Sequence, residues 1–235
     1  MTASTQPQTT PLVACAGLAR TFGTGDTAVA AVAAVTCTVW PGAHIALTGP
    51  SGSGKSTLLH LMAGLDTPSA GTVSWPAFAG HPRARPGLIG VVFQGPSLIP
   101  ALDAAENVAV PLLLAGVPEQ QASERAARAL ERLGIGELAH QLPQELSGGQ
   151  AQRVAAARVL AATPRLILAD EPTGQLDHAI AATVIDTLLQ AATELGAALV
   201  VSTHDPLIAQ RLPHQWSMHD GHLLDDLAAP PGDPR

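Results

Sequence analysis

The sequence predicts an α/β fold, a mostly parallel sheet covered by helices on both faces. Three observations predict it. Short apolar runs at 43–48, 88–93, 165–169 and 198–203 are bounded by turn residues, the pattern of strands buried on both faces. Helical stretches alternate with these runs, an order that builds parallel sheets through crossover connections. A glycine-rich loop at 49–57 follows the first run and precedes an apolar segment, 58–63, that reads as a helix.

Taken in order, residues 1–11 are polar and are expected to be disordered. Segments 12–18 and 35–39 have the length and β-branched content of strands, and Gly23, Thr24, Gly25 and Asp26 make a turn between them. Segment 118–133 carries apolar residues at helical spacing with Glu124, Arg128, Glu131 and Arg132 interleaved. It falls between the run at 88–93 and the one at 165–169, so it belongs to an inserted helical lobe. Asp220-Gly221 reads as a tight hairpin turn between 216–219 and 222–224. His219 and His222 flank that turn and read as a surface pair. Asp225-Asp226 reads as a solvated end, and 227–235 as a disordered tail.

At 235 residues the chain makes one domain, or one domain with a subdomain. Its formal charge is −7 and it has no arginine run, which argues against a protein that works by gripping nucleic acid or a lipid surface. No apolar run approaches the roughly 20 residues needed to span a bilayer. The polar start lacks the basic region of a secretion signal. Leu12-Val-Ala-Cys15 resembles a lipoprotein cleavage box, but no apolar stretch precedes it. Cys15 and Cys37 are too few for a disulfide framework and are expected to stay reduced.

The chain contains one lysine, Lys55, within Gly49-Pro-Ser-Gly-Ser-Gly-Lys-Ser-Thr57. This is a phosphate-binding P-loop. Gly49, Gly52 and Gly54 let the backbone close on a phosphate chain, with Pro50, Ser51 and Ser53 completing the cradle. A slim ammonium reaches the terminal phosphates where a planar guanidinium is too wide. Ser56 or Thr57 starts a helix whose positive end faces the phosphates, and Ser56 is placed to hold Mg²⁺. Binding of a nucleoside triphosphate follows.

Arg165-Leu-Ile-Leu-Ala-Asp-Glu171 is an apolar strand ending in two carboxylates. Beside a P-loop, Asp170 is placed to hold the Mg²⁺ shell and Glu171 to accept a proton from an attacking water; read alone, the pair is an acidic strand cap. Ser147, Gly148, Gly149 and Gln150 head an alanine-rich helix. They read either as an ordinary N-cap or as a second anion site at a helix end.

Gly49–Thr57, Gln94, Leu146–Gln150, Leu166–Glu171, Asp177 and His204 fall in the order and spacing of the ABC ATPases, and the chain resembles that family over roughly residues 12 to 224. The resemblance implies a P-loop NTPase core with a mostly parallel sheet, an N-terminal antiparallel β subdomain and an inserted α-helical subdomain at about 96–163, all within a domain spanning 12–226. It implies ATP and Mg²⁺ as ligands. Gln94 resembles the glutamine that contacts metal and lytic water and senses the membrane partner. Asp177 resembles an aspartate of the dimer interface, and His204 the histidine that bonds the γ-phosphate. Phe22 stands where the family places an aromatic on adenine, although a ring there also suits a hydrophobic core. The family pairs two such chains head to tail, the Ser147–Gln150 segment of one closing on the P-loop of the other.

Gly64-Leu-Asp-Thr-Pro-Ser-Ala-Gly71, Glu106-Asn-Val-Ala-Val-Pro111 and Ala169-Asp-Glu-Pro-Thr-Gly-Gln-Leu-Asp177 resemble the branch of lipoprotein-release, macrolide-export and cell-division ATPases. The stretch 75–89 is shorter than is usual there. The implied function is an ATP-hydrolysing subunit at the inner face of the cell membrane. It couples ATP-driven dimer closure to an integral membrane permease, for export or for transmitting motion to the periplasm. The alternative is a cell-division-type ATPase that controls a membrane partner without transport. A soluble DNA-repair or translation ATPase is disfavoured, because no coiled-coil insertion, zinc hook or basic face is present. Leu98 and Ile99, between prolines in the loop after Gln94, are either lobe core or a groove for the membrane partner, and the stiff loop favours the groove.

Overall fold

The computed structural model describes residues 10–78, 80–174, 176 and 178–224. Among the described residues the core is a six-stranded sheet in the order β5-β6-β7-β3-β8-β9. Its strands are β3 (His44–Thr48), β5 (Ile89–Val92), β6 (Leu166–Asp170), β7 (Ala198–Thr203), β8 (His214–His219) and β9 (His222–Leu223). All pairings are parallel except that of β8 with β9. A three-stranded antiparallel sheet, β2-β1-β4, covers one side. It is built from β1 (Val13–Phe22), β2 (Val29–Val39) and β4 (Ala70–Ser74). The helices are α1 (Lys55–Met62), α2 (Ala104–Leu114), α3 (Glu119–Arg132), α4 (Gly148–Leu160), α5 (His178–Leu195) and α6 (Pro206–Ala209).

Side-chain alternation along the core strands sends successive residues into two hydrophobic clusters. Leu166 and Leu168 of β6, and Ala198 and Val200 of β7, pack with α1 and the antiparallel sheet. Ile167, Ala169, Leu199 and Val201 pack with α5 and the helical lobe. The lobe is α2, α3 and the start of α4. Helix α3 buries Ala122, Ala126, Ala129 and Leu130 along one stripe, the spacing its sequence carries.

Several elements differ from expectation. Strands β1 and β2 run longer than 12–18 and 35–39 and meet across a short 3₁₀ turn, Gly25–Thr27. Pro11 is anchored, its carbonyl accepting from the Ala77 N–H at 3.1 Å; residues 1–9 of the expected disordered start, and 225–235, lie outside the described residues. Helix α1 begins at Lys55 rather than at Ser56 or Thr57. Strand β4 was not foreseen, because it is a short edge strand whose residues are largely exposed and carry no alternation. Helix α2 runs through Pro111. An Asp103–Glu106 capping box secures its start, the Asp103 side chain accepting from the Glu106 N–H at 2.8 Å and the Glu106 side chain from the Asp103 N–H at 2.9 Å.

Candidate functional site

The P-loop connects β3 to α1, and two of its glycines are obligatory. Gly54 is the left-handed N-cap of α1 at φ 100°, and a Cβ there would lie 1.9 Å from the Ala31 carbonyl oxygen of β2. Gly49, at φ 143°, would meet the Met218 carbonyl oxygen at 2.1 Å. The loop is therefore pressed between the antiparallel sheet and β8, where no side chain fits. The Gly221 N–H donates to the Ser53 carbonyl at 3.0 Å, so the hairpin read at Asp220-Gly221 also braces the loop. The Ser53 hydroxyl is buried without a hydrogen-bond partner.

Lys55 is 4% exposed and donates to the carbonyls of Gly49 at 2.9 Å and Pro50 at 3.0 Å. Its Nζ stands 3.5 Å from Glu171 Oε1. Glu171 Oε2 in turn lies 3.3 Å from His204 Nδ1. The three residues come from the first turn of α1 after β3, from just past the end of β6 and from just past the end of β7, and the parallel order β6-β7-β3 brings those ends together. Glu171 has φ 42°, a left-handed conformation that costs a non-glycine residue about 1–2 kcal/mol. Such strain is tolerated where the surroundings over-determine it. Here the Glu171 N–H donates to the Ser202 hydroxyl at 2.8 Å and approaches the Ser202 carbonyl at 3.2 Å.

Asp170, the last residue of β6, accepts at Oδ1 from the Ser56 hydroxyl at 3.0 Å and from the Ser202 hydroxyl at 2.7 Å. A hydroxyl and a carboxylate at a P-loop are oxygen donors suited to a hard divalent cation. Ser51, Gly52, Gly54, Lys55, Ser56, Thr57, Gln94 and Glu171 line one cleft. Thr48, Gly49, Pro50 and His204 line an adjoining one. Gln94 thus shares the cleft with Glu171.

Among the described residues, Ser53, Asp170, the Ser147–Gln150 segment and Phe22 are expected site residues that line neither cleft. Ser147 caps α4, its hydroxyl accepting from the Gln150 N–H at 3.3 Å while Gln150 Oε1 accepts from the Ser147 N–H at 2.8 Å. Ser147 and Gly148 are exposed, whereas Gly149 is buried against Ile180 and Leu176. Phe22 is 44% exposed, which removes the core alternative. Arg20 covers one face of its ring, 4.6 Å from the centroid, and is itself held by Asp66 at 2.9 Å. Asp177 lies outside the described residues.

The loop after Gln94 is held by residues the sequence did not single out. Gln152 of α4 donates to the Phe93 carbonyl at 3.0 Å. Arg158 donates to the carbonyls of Ser97 at 2.9 Å and Pro96 at 3.1 Å, and burial lowers its guanidinium pKa from the ordinary value. Fully buried Asn107 accepts from the Ile99 N–H at 2.7 Å and donates to the carbonyls of Ile99, Leu102 and Asp103. Leu98 packs partly buried against the lobe core while Ile99 is 41% exposed. The expected apolar pair is therefore split: Leu98 joins the lobe core and Ile99 is exposed.

Known proteins are similar to this chain in sequence and in fold. The family model described as ABC transporter matches residues 32–174. The lipoprotein-releasing system ATP-binding protein LolD of Hydrogenovibrio crunogenus is 46% identical over 187 residues, 77% of this chain and 81% of that protein. LolD 2 of Caulobacter vibrioides is 41% identical over 220 residues, 91% of this chain and 96% of its own. Among solved structures, the dimeric post-hydrolysis state of the ATP-binding cassette MJ0796 bound to ADP and Pi aligns with a TM-score of 0.82 at 33% identity, covering 92% of this chain and 99% of the other.

Proposed function

This chain belongs to the ABC transporter family, and we propose that it is the ATP-hydrolysing subunit of a membrane complex of the lipoprotein-releasing type. The observation that carries the reading is Glu171, held at the mouth of the P-loop within 3.5 Å of Lys55 and 3.3 Å of His204. That position suits a carboxylate that takes a proton from water attacking a γ-phosphate.

The loop N–H groups and Lys55 bind the β- and γ-phosphates, and the helix end of α1 adds its positive field. Ser56 and Asp170 fit Mg²⁺ as ligands, with Gln94 able to complete the set from the same cleft. Mg²⁺, when bound, neutralises charge on the β- and γ-oxygens. His204 hydrogen-bonds the γ-phosphate, and Phe22 offers its uncovered face to adenine.

Exposed Ser147 and Gly148 at the head of α4 form a second anion-seeking end, which suits closure over the nucleotide of a second copy. Asp177, which lies outside the described residues, resembles the family's interface aspartate and is proposed to act there. No described helix is long and apolar enough to cross a membrane, so transport by such a complex needs a permease subunit. We place the chain against that permease at the inner face of the cell membrane, with the loop after Gln94 as contact. The relatives named for lipoprotein release support this assignment of the complex.

Glu171→Gln tests the chemistry. The amide can hold water but is a far weaker proton acceptor. ATP binding should persist, turnover should fall by about a hundredfold or more, and an ATP-bound dimer should accumulate on a sizing column. Turnover within twofold of wild type would remove Glu171 from the mechanism.

A further inference from the structure

We infer that Ser202 is a positioning residue that sets both carboxylates of the site at once, the metal ligand Asp170 and the proton acceptor Glu171. Ser202 is fully buried on β7 and is the direct cross-strand partner of Asp170 on β6. Partners in a parallel pair project to the same face of the sheet. On that face the preceding positions of both strands, Leu166 and Leu168, Ala198 and Val200, are hydrophobic core. Ser202 therefore stands where the strand's own pattern calls for an apolar side chain.

Its hydrogen bonds have a determined direction. The Glu171 N–H can only donate, so the Ser202 oxygen accepts there at 2.8 Å. The Ser202 proton then goes to Asp170 Oδ1 at 2.7 Å. One hydroxyl thus holds the backbone of Glu171 in its left-handed conformation and orients the Asp170 carboxylate toward Ser56, whose hydroxyl shares Oδ1 at 3.0 Å. Ser202 does not reach into the cleft lined by Gln94 and Glu171. It acts through the two carboxylates.

Hydrogen-bond partners of a metal ligand typically change metal affinity or activity by about 10–100-fold when removed. The proposal rests on the roles given to Asp170 and Glu171 above. Four full-length variants test it: Ser202→Ala, Ser202→Thr, Ser202→Val and, as the control, Glu171→Gln. Threonine and valine have nearly the same shape and differ in the hydroxyl, so their ratio isolates the hydrogen bonds from packing. The measurements are ATPase rate against Mg²⁺ and ATP concentration, and binding of a fluorescent ATP analogue with Mg²⁺ or with EDTA.

Ser202→Ala should lower kcat and raise the Mg²⁺ concentration for half-maximal rate, each by about tenfold or more. Analogue binding in EDTA should match wild type, and the gain in affinity on adding Mg²⁺ should shrink. Ser202→Thr should recover both properties relative to Ser202→Val. Equal behaviour of Thr and Val overturns the proposal. So does Ser202→Ala within twofold of wild type, or Ser202→Ala failing to fold, which would make the residue structural. If Glu171→Gln is itself fully active, the assignment of the proton acceptor fails first; if Glu171→Gln is inactive and Ser202→Ala normal, only the role of Ser202 fails.

Discussion

The side-chain amide of Gln152 donates to the backbone carbonyl of Phe93 at 3.0 Å, joining the helix capped by Ser147 to the residue that precedes Gln94. Arg158, further along the same helix, holds the carbonyls of Pro96 and Ser97. One helix therefore carries the exposed Ser147–Gly148 cap at its head and secures the loop after Gln94, the proposed permease contact, along its side. A rotation of the lobe would move both together. Gln152→Leu keeps the bulk and removes the donor. It should lower stability to urea by about 1 kcal/mol, the net worth of one hydrogen bond. An unchanged midpoint would mean that the Phe93 carbonyl finds another donor.

Phe22 presents one ring face, since Arg20 covers the other. A phenyl ring offers stacking without a hydrogen bond to the base edge, worth roughly 1–3 kcal/mol on other nucleotide-binding surfaces. Phe22→Ala should weaken ATP binding by about ten- to a hundredfold, with turnover at saturation nearly unchanged. GTP should be hydrolysed at a comparable rate. Unchanged affinity in nucleotide titration would place the adenine pocket elsewhere.

Ile99 is exposed while Leu98 packs against the lobe core, so the proposed permease contact falls to Ile99. Ile99→Asp should leave basal ATPase intact and abolish stimulation by the reconstituted permease. Leu98→Asp should instead destabilise the chain by about 1–3 kcal/mol, because it drives a charge into packed apolar surface. Normal stimulation of Ile99→Asp would exclude this loop as the contact.

His44 sits at the start of β3, away from the P-loop end of that strand. Burial holds its pKa below the ordinary 6.5; a backbone hydrogen bond with Ala197 opposes this, and His214 adds repulsion. In the folded protein His44 therefore binds fewer protons than in the unfolded chain once the pH drops below 6.5. Stability should fall as the pH is lowered from 6.5 toward the depressed folded value, and His44 should contribute no slope above that window. His44→Gln should flatten this dependence in urea titrations at pH 5 to 8. An identical slope in the variant would assign the acid sensitivity to other groups.

The catalytic loop, the Asp170–Glu171 pair and the Ser147–Gln150 cap were legible in the sequence because each is a local device. Phosphate binding needs particular residues at fixed short spacings, and capping needs its partners three residues apart. The strands of the core were legible for the same reason, from runs of apolar residues ended by turns. Ser202, Gln152 and Asn107 were not. Ser202 and Gln152 are ordinary polar residues whose partners lie 31 and 59 positions away, and only the strand order and the docking of α4 bring them together. A polar residue at a core-facing position was the one available signal for Ser202. The split between Leu98 and Ile99 had no signal at all, since a loop imposes no periodicity on the direction of its side chains.

Lys55, the single lysine of the chain, is almost wholly enclosed and bound by the carbonyls of Gly49 and Pro50. A lysine-specific endopeptidase accordingly has one target bond in this protein, Lys55–Ser56, and it lies in the first turn of α1 at the wall of the cleft. Reagents that acylate side-chain amines have the same solitary target. The chain's arginines are silent to both. Modification or cleavage at Lys55 is thus a direct report on the opening of the nucleotide site, with no other lysine in the chain to compete.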